Sequence, residues 1–144
     1  MSQSFPVTPQ AIYDKVSADG VMSALLGTYT FRAGTLPVTA VSIVTPGADL
    51  PATRNVSGIE CVIHDTAIIR RRDYVSGASD IIPRWNVYLI CWPGSDGLSM
   101  TTAAMRLMAI FGGSTANETV AVPQGLGAMA QTLVTIPSDS PILA

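Results

Sequence analysis

The chain has 144 residues, of which 48% are apolar and only 12% charged, against roughly 25% charged in an average soluble domain. The length suits one domain, and with a net charge of −2 it excludes a second full domain, a protein that grips nucleic acid mainly through a basic face, and an acidic tail. No stretch reaches the roughly 18 consecutive apolar residues of a membrane-spanning helix, so no membrane role is expected and the apolar excess belongs inside or between subunits.

Met1 to Thr8 is polar and lacks the basic patch and apolar run of a secretory signal, so export by that route is not expected. Thr8-Pro9 predicts a helix start, because a threonine oxygen caps free amides and a proline at the first helical position forfeits no hydrogen bond. Ile12 and Val16 follow at helical spacing. Asp19-Gly20 reads as a break with a fresh cap, and Val21, Met22, Leu25 and Leu26 form a second short apolar face ending at Gly27. Thr28 to Phe31 is β-prone, and the β-branched residues between Leu36 and Val44 predict one further strand. Pro46, Gly47, Asp49 and Pro51 predict a surface loop, bounded at 45–57.

Gly58 to Thr66 predicts a strand with Ile59, Cys61 and Ile63 on one face and Glu60, Val62 and His64 on the other. Ala67 to Asp73 either prolongs this strand or, after Arg70-Arg71-Arg72, gives way through Ser76, Gly77, Ser79 and Asp80 to an exposed hairpin or loop. Trp85 to Trp92 is the plainest strand; apolar on nearly both sides, it is expected to be central or covered on both faces. A turn at 93–97 opens a helix from Leu98 to Phe111, with Met100, Ala104, Leu107, Met108 and Phe111 on one stripe that can lie across a sheet. Gly112-Gly113 stops it. Thr119 to Val122 and Met129 to Ile136 predict two last strands joined through Pro123, Gly125 and Gly127, and 137–144 an extended tail. The expected fold is α+β: a mainly antiparallel sheet of about four to five strands, with an N-terminal helix and a second helix packed across it, in one domain over 1–144.

The residues offer little chemistry. His64 is the single histidine; beside Asp65 it is read as an edge imidazole with a local hydrogen bond, since no Ser or Cys stands in a nucleophile motif. Asp14 with Asp19, and Asp65 with Asp73, fall where caps and turn residues are expected. The glycine pairs lack the strand, loop and helix order that cradles phosphate. Cys61 and Cys91 lie in apolar strand runs without metal spacing and are read as reduced packing residues, a cross-strand disulfide being the alternative. No catalytic residue, cofactor or metal is expected. Arg70, Arg71 and Arg72, with Arg84 beyond, are the one strong local charge feature. They read either as a solvated hairpin or as a patch for a partner's carboxylates or a nucleic-acid backbone; in alternation Arg70 and Arg72 face one way and Arg71 the other.

The order of elements resembles that of the tail-terminator, or tail-completion, proteins of tailed bacteriophages. The segment Val16 to Gly27, through Ser17, Ala18, Asp19, Gly20, Val21, Met22, Ser23, Ala24, Leu25 and Leu26, looks like their opening helix and turn. Ala11-Ile12-Tyr13 and Leu36-Pro37-Val38 fit the same order, and the strand Trp85 to Trp92 with the helix Met105 to Phe111 looks like their central strand and packed helix. The resemblance implies a virion protein of the neck, assembled in the host cytoplasm, whose copies form a hexameric ring on the tail tube protein. Such a ring stops tube growth, meets head-side connector or neck proteins, and surrounds genomic DNA in its lumen. The alternatives are another neck component such as a head-completion or connector protein, a tube subunit, and, more distantly, a small oligomeric ligand-binding domain or enzyme. A ring subunit tolerates few charges because neighbours cover its surface. The tail Pro141-Ile142-Leu143 is expected to dock on its own or an adjoining subunit.

Overall fold

The computed structural model describes residues 7–30, 36–45, 55–93, 95–116, 120–121 and 130–143. The fold is α+β, with two mostly antiparallel sheets and three helices. Helix α1, Pro9–Ala18, begins as its sequence demands: Thr8 is the N-cap, its hydroxyl accepts from the Ala11 amide at 3.1 Å, and Pro9 takes the first turn. Asp19 then ends α1 and caps α2, Gly20–Leu25, accepting from the Met22 amide at 2.9 Å. One residue turns the chain because its side chain supplies the acceptor that the new helix lacks.

Strands β1 (Thr28–Thr30), β2 (Val38–Thr39) and β4 (Asn55–Ser57) make a small sheet in the order β2-β1-β4. The main sheet runs β3-β5-β7-β10-β8, from β3 (Val41–Val44), β5 (Ile59–His64), β7 (Ser79–Cys91), β10 (Ala130–Pro137) and β8 (Thr115–Ala116). Strand β6 (Ile68–Asp73) adds to β7, and β9 (Val120–Ala121) to β10. The expected four to five strands are thus exceeded. The seven-stranded sheet gains β6, which carries the direction of β5 on along β7, and β8, whose two residues hold no pattern long enough to read alone.

The single strand expected from Leu36 to Val44 breaks at Ala40. Val38–Thr39 pairs with β1, whereas Val41–Val44 runs parallel to β5. Likewise Asn55–Ser57, placed by the sequence in the loop, is β4, and the chain passes through Gly58 into β5. Both strands turn a corner between sheets, and β1 fills the fork that opens between β2 and β4. Residues 46–54, the rest of that expected loop, and Pro123, Gly125 and Gly127 lie outside the described residues.

On the main sheet, Ile59, Cys61, Ile63, Val87, Leu89, Val134 and Ile136 share one face, as their cross-strand partners require, and α1 and α3 (Gly97–Ile110) cover it. From α3 come Met100, Ala103, Ala104, Leu107 and Ile110. Met108, expected on this stripe, is instead partly exposed, and Ala103 and Ile110 take its place inside. Cys61 and Cys91 are both buried and free. They are not cross-strand partners, since Cys61 lies opposite Leu89 and Cys91 opposite Ile59. Burial pushes the Cys61 thiol up to about 12, helped by Glu60, and raises that of Cys91.

The helices are tied together at Asp19. Arg106 of α3 donates from Nε to Asp19 Oδ2 at 3.0 Å and from its terminal nitrogen to Oδ1 at 2.6 Å, with the Asp19 side chain only 10% exposed. The guanidinium hydrogen bond, aided by the Met22 amide, holds the Asp19 carboxyl below its ordinary value of 3.8. That contribution is present above pH 3.8 and is lost as pH falls through the lowered folded value. His64, against Tyr88 with ring centroids 4.8 Å apart, is held below its ordinary 6.5 by burial, which outweighs Asp65. The neutral ring therefore supports the fold above pH 6.5, and this support goes as pH falls through its lowered folded value. Acid titration should destabilise in two steps, the first abolished in His64→Phe and the second reduced in Asp19→Asn, the remainder coming from Asp96, whose carboxyl the Ser99 amide also holds below 3.8. Asp19→Ala should cost about 1–2 kcal/mol from the cap alone, read by urea unfolding at pH 7; a change below a few tenths would refute the cap's role.

Candidate functional site

Strand β7 is 13 residues long and outruns the sheet. Its pairing with β10 ends at Arg84, opposite Pro137, and its pairing with β5 ends at Val87, opposite Ile63. Beyond, it is paired with β6 from Ile68↔Arg84 to Asp73↔Ser79. Between the Ile63 and Ile68 pairs one chain advances five residues and the other three, so Asp65–Ala67 form a bulge that sets the ribbon off from the sheet. The tip closes with Tyr74 N–H to Ala78 O at 2.9 Å and Gly77 N–H to Tyr74 O at 3.0 Å. Gly77 sits at φ 86°, a left-handed conformation that glycine adopts without steric cost. The result is a two-stranded arm over 68–84.

One face of the arm is set by the register: Ile69 opposite Pro83, Arg71 opposite Ile81, Asp73 opposite Ser79. Arg71 Nε donates to Asp73 Oδ1 at 2.8 Å and its terminal nitrogen to Ser79 Oγ at 3.2 Å, while the Ser79 hydroxyl donates to the same Asp73 oxygen at 2.8 Å. At 69% and 67% exposure the ion pair is worth about 0–1 kcal/mol. It orders the end of the arm more than it stabilises the fold. Beside it Ile69 and Ile81 stand 69% and 61% exposed, and Val75 at the tip is fully exposed. Large aliphatic side chains on a thin ribbon need cover, because a two-stranded hairpin is marginal in water.

The structure separates the arginines that the sequence groups. Arg71 lies on the arm's exposed face. Arg70 and Arg72 occupy the register positions opposite Ile82 and Asp80, with their side chains outside the described residues. Arg84 is at the root of the arm, between Ile68 and Pro137, half-buried, and its Nε is enclosed without a hydrogen-bond partner among the described residues. His64 makes its ring contact with Tyr88 rather than the expected local hydrogen bond; the Asp65 carboxylate instead accepts from Thr45 at 2.7 Å and Thr66 at 3.3 Å. Asp14, read as a cap or turn residue, lies inside α1 and accepts from Gln10.

The C-terminal tail is not simply extended. Pro137, Ser138 and Ser140 are buried, and the segment folds back on the end of α3. Leu143 N–H reaches Ile110 O at 2.7 Å, Gly112 N–H reaches Pro141 O at 2.9 Å, and Ser140 Oγ donates to Gly112 O at 2.6 Å. Ile142 makes an antiparallel bridge with Phe111. The tail thereby satisfies carbonyls that a helix end leaves open, while Ile142 and Leu143 keep much of their side chains exposed.

A second exposed surface adjoins it, on the outer side of α3. Leu98 and Met105 are 75% and 65% exposed, and Met108 shares that side. The sequence shows the hairpin through its arginines and turn residues, but not the bare isoleucines of the arm or the exposed outer side of α3. Their signal was present in the uncharged outer positions of GLSMTTAAMRLMAI and in the paired isoleucines at 68–69 and 81–82.

Among the described residues no three His, Cys, Asp or Glu side chains come together as a metal site, and no helix is long and apolar enough to cross a membrane. No family model, curated protein or solved structure matches the chain.

Proposed function

We propose that this chain is a structural virion protein, a terminator whose copies form a ring at the end of a phage tail tube, stop its polymerisation and provide the joint to the head. The observation that carries the assembly part of this reading is the 68–84 arm, a ribbon set off from the sheet with Ile69, Val75 and Ile81 bare. Such a feature acts by covering another surface. The low charge content and the uncharged outer side of α3 support the same conclusion, since surfaces that spend their working life in contact need few charges. The assignment to the tail end rests on the resemblance in the order of elements, from the helix around Asp19-Gly20 to the strand ending at Trp92. In this role one ring face matches the last tube ring, and the other lacks what a further tube subunit needs.

The full chain should run as a closed ring, about 90 kDa for six copies of a 15.1 kDa subunit, and should cap the ends of tail tubes in electron micrographs. Stacked open tubes would instead identify a tube subunit, and rings that ignore tube ends a different neck component. A permanent monomer, even with tubes present, would refute the proposal. Replacing Arg70, Arg71 and Arg72 by serine should leave the melting curve nearly unchanged and weaken joining to tube or head partners by about tenfold or more. Unchanged joining would make the arginines an ordinary solvated patch.

A further inference from the structure

We propose that the arm of one copy lies along the outer side of α3 and the C-terminal tail of a neighbouring copy; this rests on the self-assembly reading above and names its contact. The first support is composition. The outer positions of α3, namely Leu98, Thr101, Thr102, Met105, Met108 and Ala109, carry no charge. Thr101 and Thr102 direct their hydroxyls to Gly97 O and Leu98 O, so this side lacks the charged face that a solvent-exposed helix ordinarily carries. Leu143, anchored through its amide to Ile110 O, continues this strip past the end of the helix.

The dimensions correspond. Fourteen helical residues span about 21 Å, and the six residues of β6 about 20 Å. The arm can therefore lie along the helix for its whole length, setting Ile69 and Ile81 against methionine side chains that adapt to irregular surfaces.

Charge points the same way. Residues 68–84 hold four arginines and two aspartates, so the arm is net positive within a chain of net −2. Asp96 caps α3 two residues before Leu98, and exposed Asp139 lies two residues before Pro141, whose carbonyl accepts from the Gly112 amide at the far end of the helix. Neither is paired with a basic side chain among the described residues, and Arg106, the one base on α3, is taken by Asp19. An acid-edged apolar strip fits an apolar arm carrying guanidinium groups.

Arm and strip are different patches, each left exposed within one copy. With the ring reading above, each copy gives its arm to the next copy's strip, so the contact repeats head to tail around the ring. Two groups of full-length variants test it. Ile69→Ser with Ile81→Ser disables the arm, and Met105→Arg disables the strip; all three positions are exposed, and circular dichroism verifies folding. Each variant alone should run as a monomer. Mixed one to one, they should give a dimer of about 30 kDa, because only one intact arm meets one intact strip. In parallel, Val75→Cys combined with Leu98→Cys or with Leu143→Cys should yield an oxidised ladder for one pairing, which also fixes the arm's direction. Cys61 and Cys91 are buried and stay silent.

Rings that persist in the arm and strip variants, a mixture that gives no dimer, or the absence of a ladder in both cysteine pairs would overturn the contact while leaving ring assembly standing. A wild-type chain that remains monomeric would overturn both.

Discussion

Gly27→Ala is expected to destabilise the protein by about 3 kcal/mol or more, over half the stability of a domain at the weaker end of the usual range of about 5–15 kcal/mol. Gly27 stands where β2 and β4 diverge and β1 enters. Its N–H donates to Ile59 O at 2.8 Å, its carbonyl accepts from the Ala40 amide at 3.0 Å, and Ala40 O accepts from Cys61 N–H at 2.8 Å. Three strands are thus bridged through one residue. A Cβ there would stand 1.7 Å from Ser57 O and 2.7 Å from Gly58 Cα, both main-chain atoms held by the β1–β4 pairing and the corner at Gly58. No side-chain rotation relieves that clash, so the fork must open. Gly20→Ala is the control: nothing lies within 4 Å of its Cβ, at an exposed first position of α2, and alanine there should be neutral or slightly stabilising. Urea unfolding of both variants decides it. A cost below about 1 kcal/mol for Gly27→Ala would show that the fork yields easily.

Glu60→Ala should cost about 3 kcal/mol, the second-largest effect. Glu60 is 1% exposed on the face of β5 opposite the helices. Tyr29 Oη donates to its Oε2 at 2.6 Å and Trp92 Nε1 to its Oε1 at 2.9 Å, while the Ser42 hydroxyl lies 3.0 Å from the Tyr29 oxygen. With the tyrosine proton directed at Glu60, the serine proton is directed at tyrosine. The cluster joins β1 of the small sheet to β3, β5 and the end of β7 in the main one. Alanine takes the carboxylate from the Tyr29 and Trp92 donors and leaves a void, each lost bond to a buried charged acceptor costing about 1–3 kcal/mol. Tyr29→Phe keeps the shape, leaves the Trp92 bond to Glu60 in place and removes the bonds to Glu60 Oε2 and Ser42, for about 2 kcal/mol. The measurement is the shift in urea midpoint at constant slope; if Glu60→Ala cost no more than Tyr29→Phe, the joint would not run through the carboxylate.

Neither residue draws attention in the sequence. Gly27 reads there as a helix stop, which it is, since α2 ends at Leu25. Nothing local discloses that a neighbouring main chain passes within contact distance. Glu60 reads as the polar partner in an alternating strand, and alternation says which face a residue takes, not whether that face is covered. Tyr29 and Trp92 lie 31 and 32 positions from Glu60.

The interaction surfaces show the same division. The hairpin at 68–84 is legible as a basic, turn-bearing stretch, but its separation from the sheet depends on where β10 and β5 stop pairing with β7. The strip on α3 was obscured because apolar positions on all sides of a helix allow more than one choice of buried stripe. Packing against β7 and β10 chose the one containing Ala103 and Ile110 and left Met108 outside.

What the sequence determined by itself is local or periodic: the Thr8-Pro9 and Asp19 caps, the two-residue alternation of Ile59–His64 and of residues 85–91, and the glycine-ended helix from Gly97 to Ile110. Each depends on residues within a few positions of one another, where hydrogen bonds and side-chain direction follow from backbone geometry. The fork at Gly27, the buried Glu60 joint, the bare arm and the tail folded onto α3 were decided only by the tertiary structure. Each is a meeting of segments distant along the chain, and which of them come together depends on the packing of the whole fold.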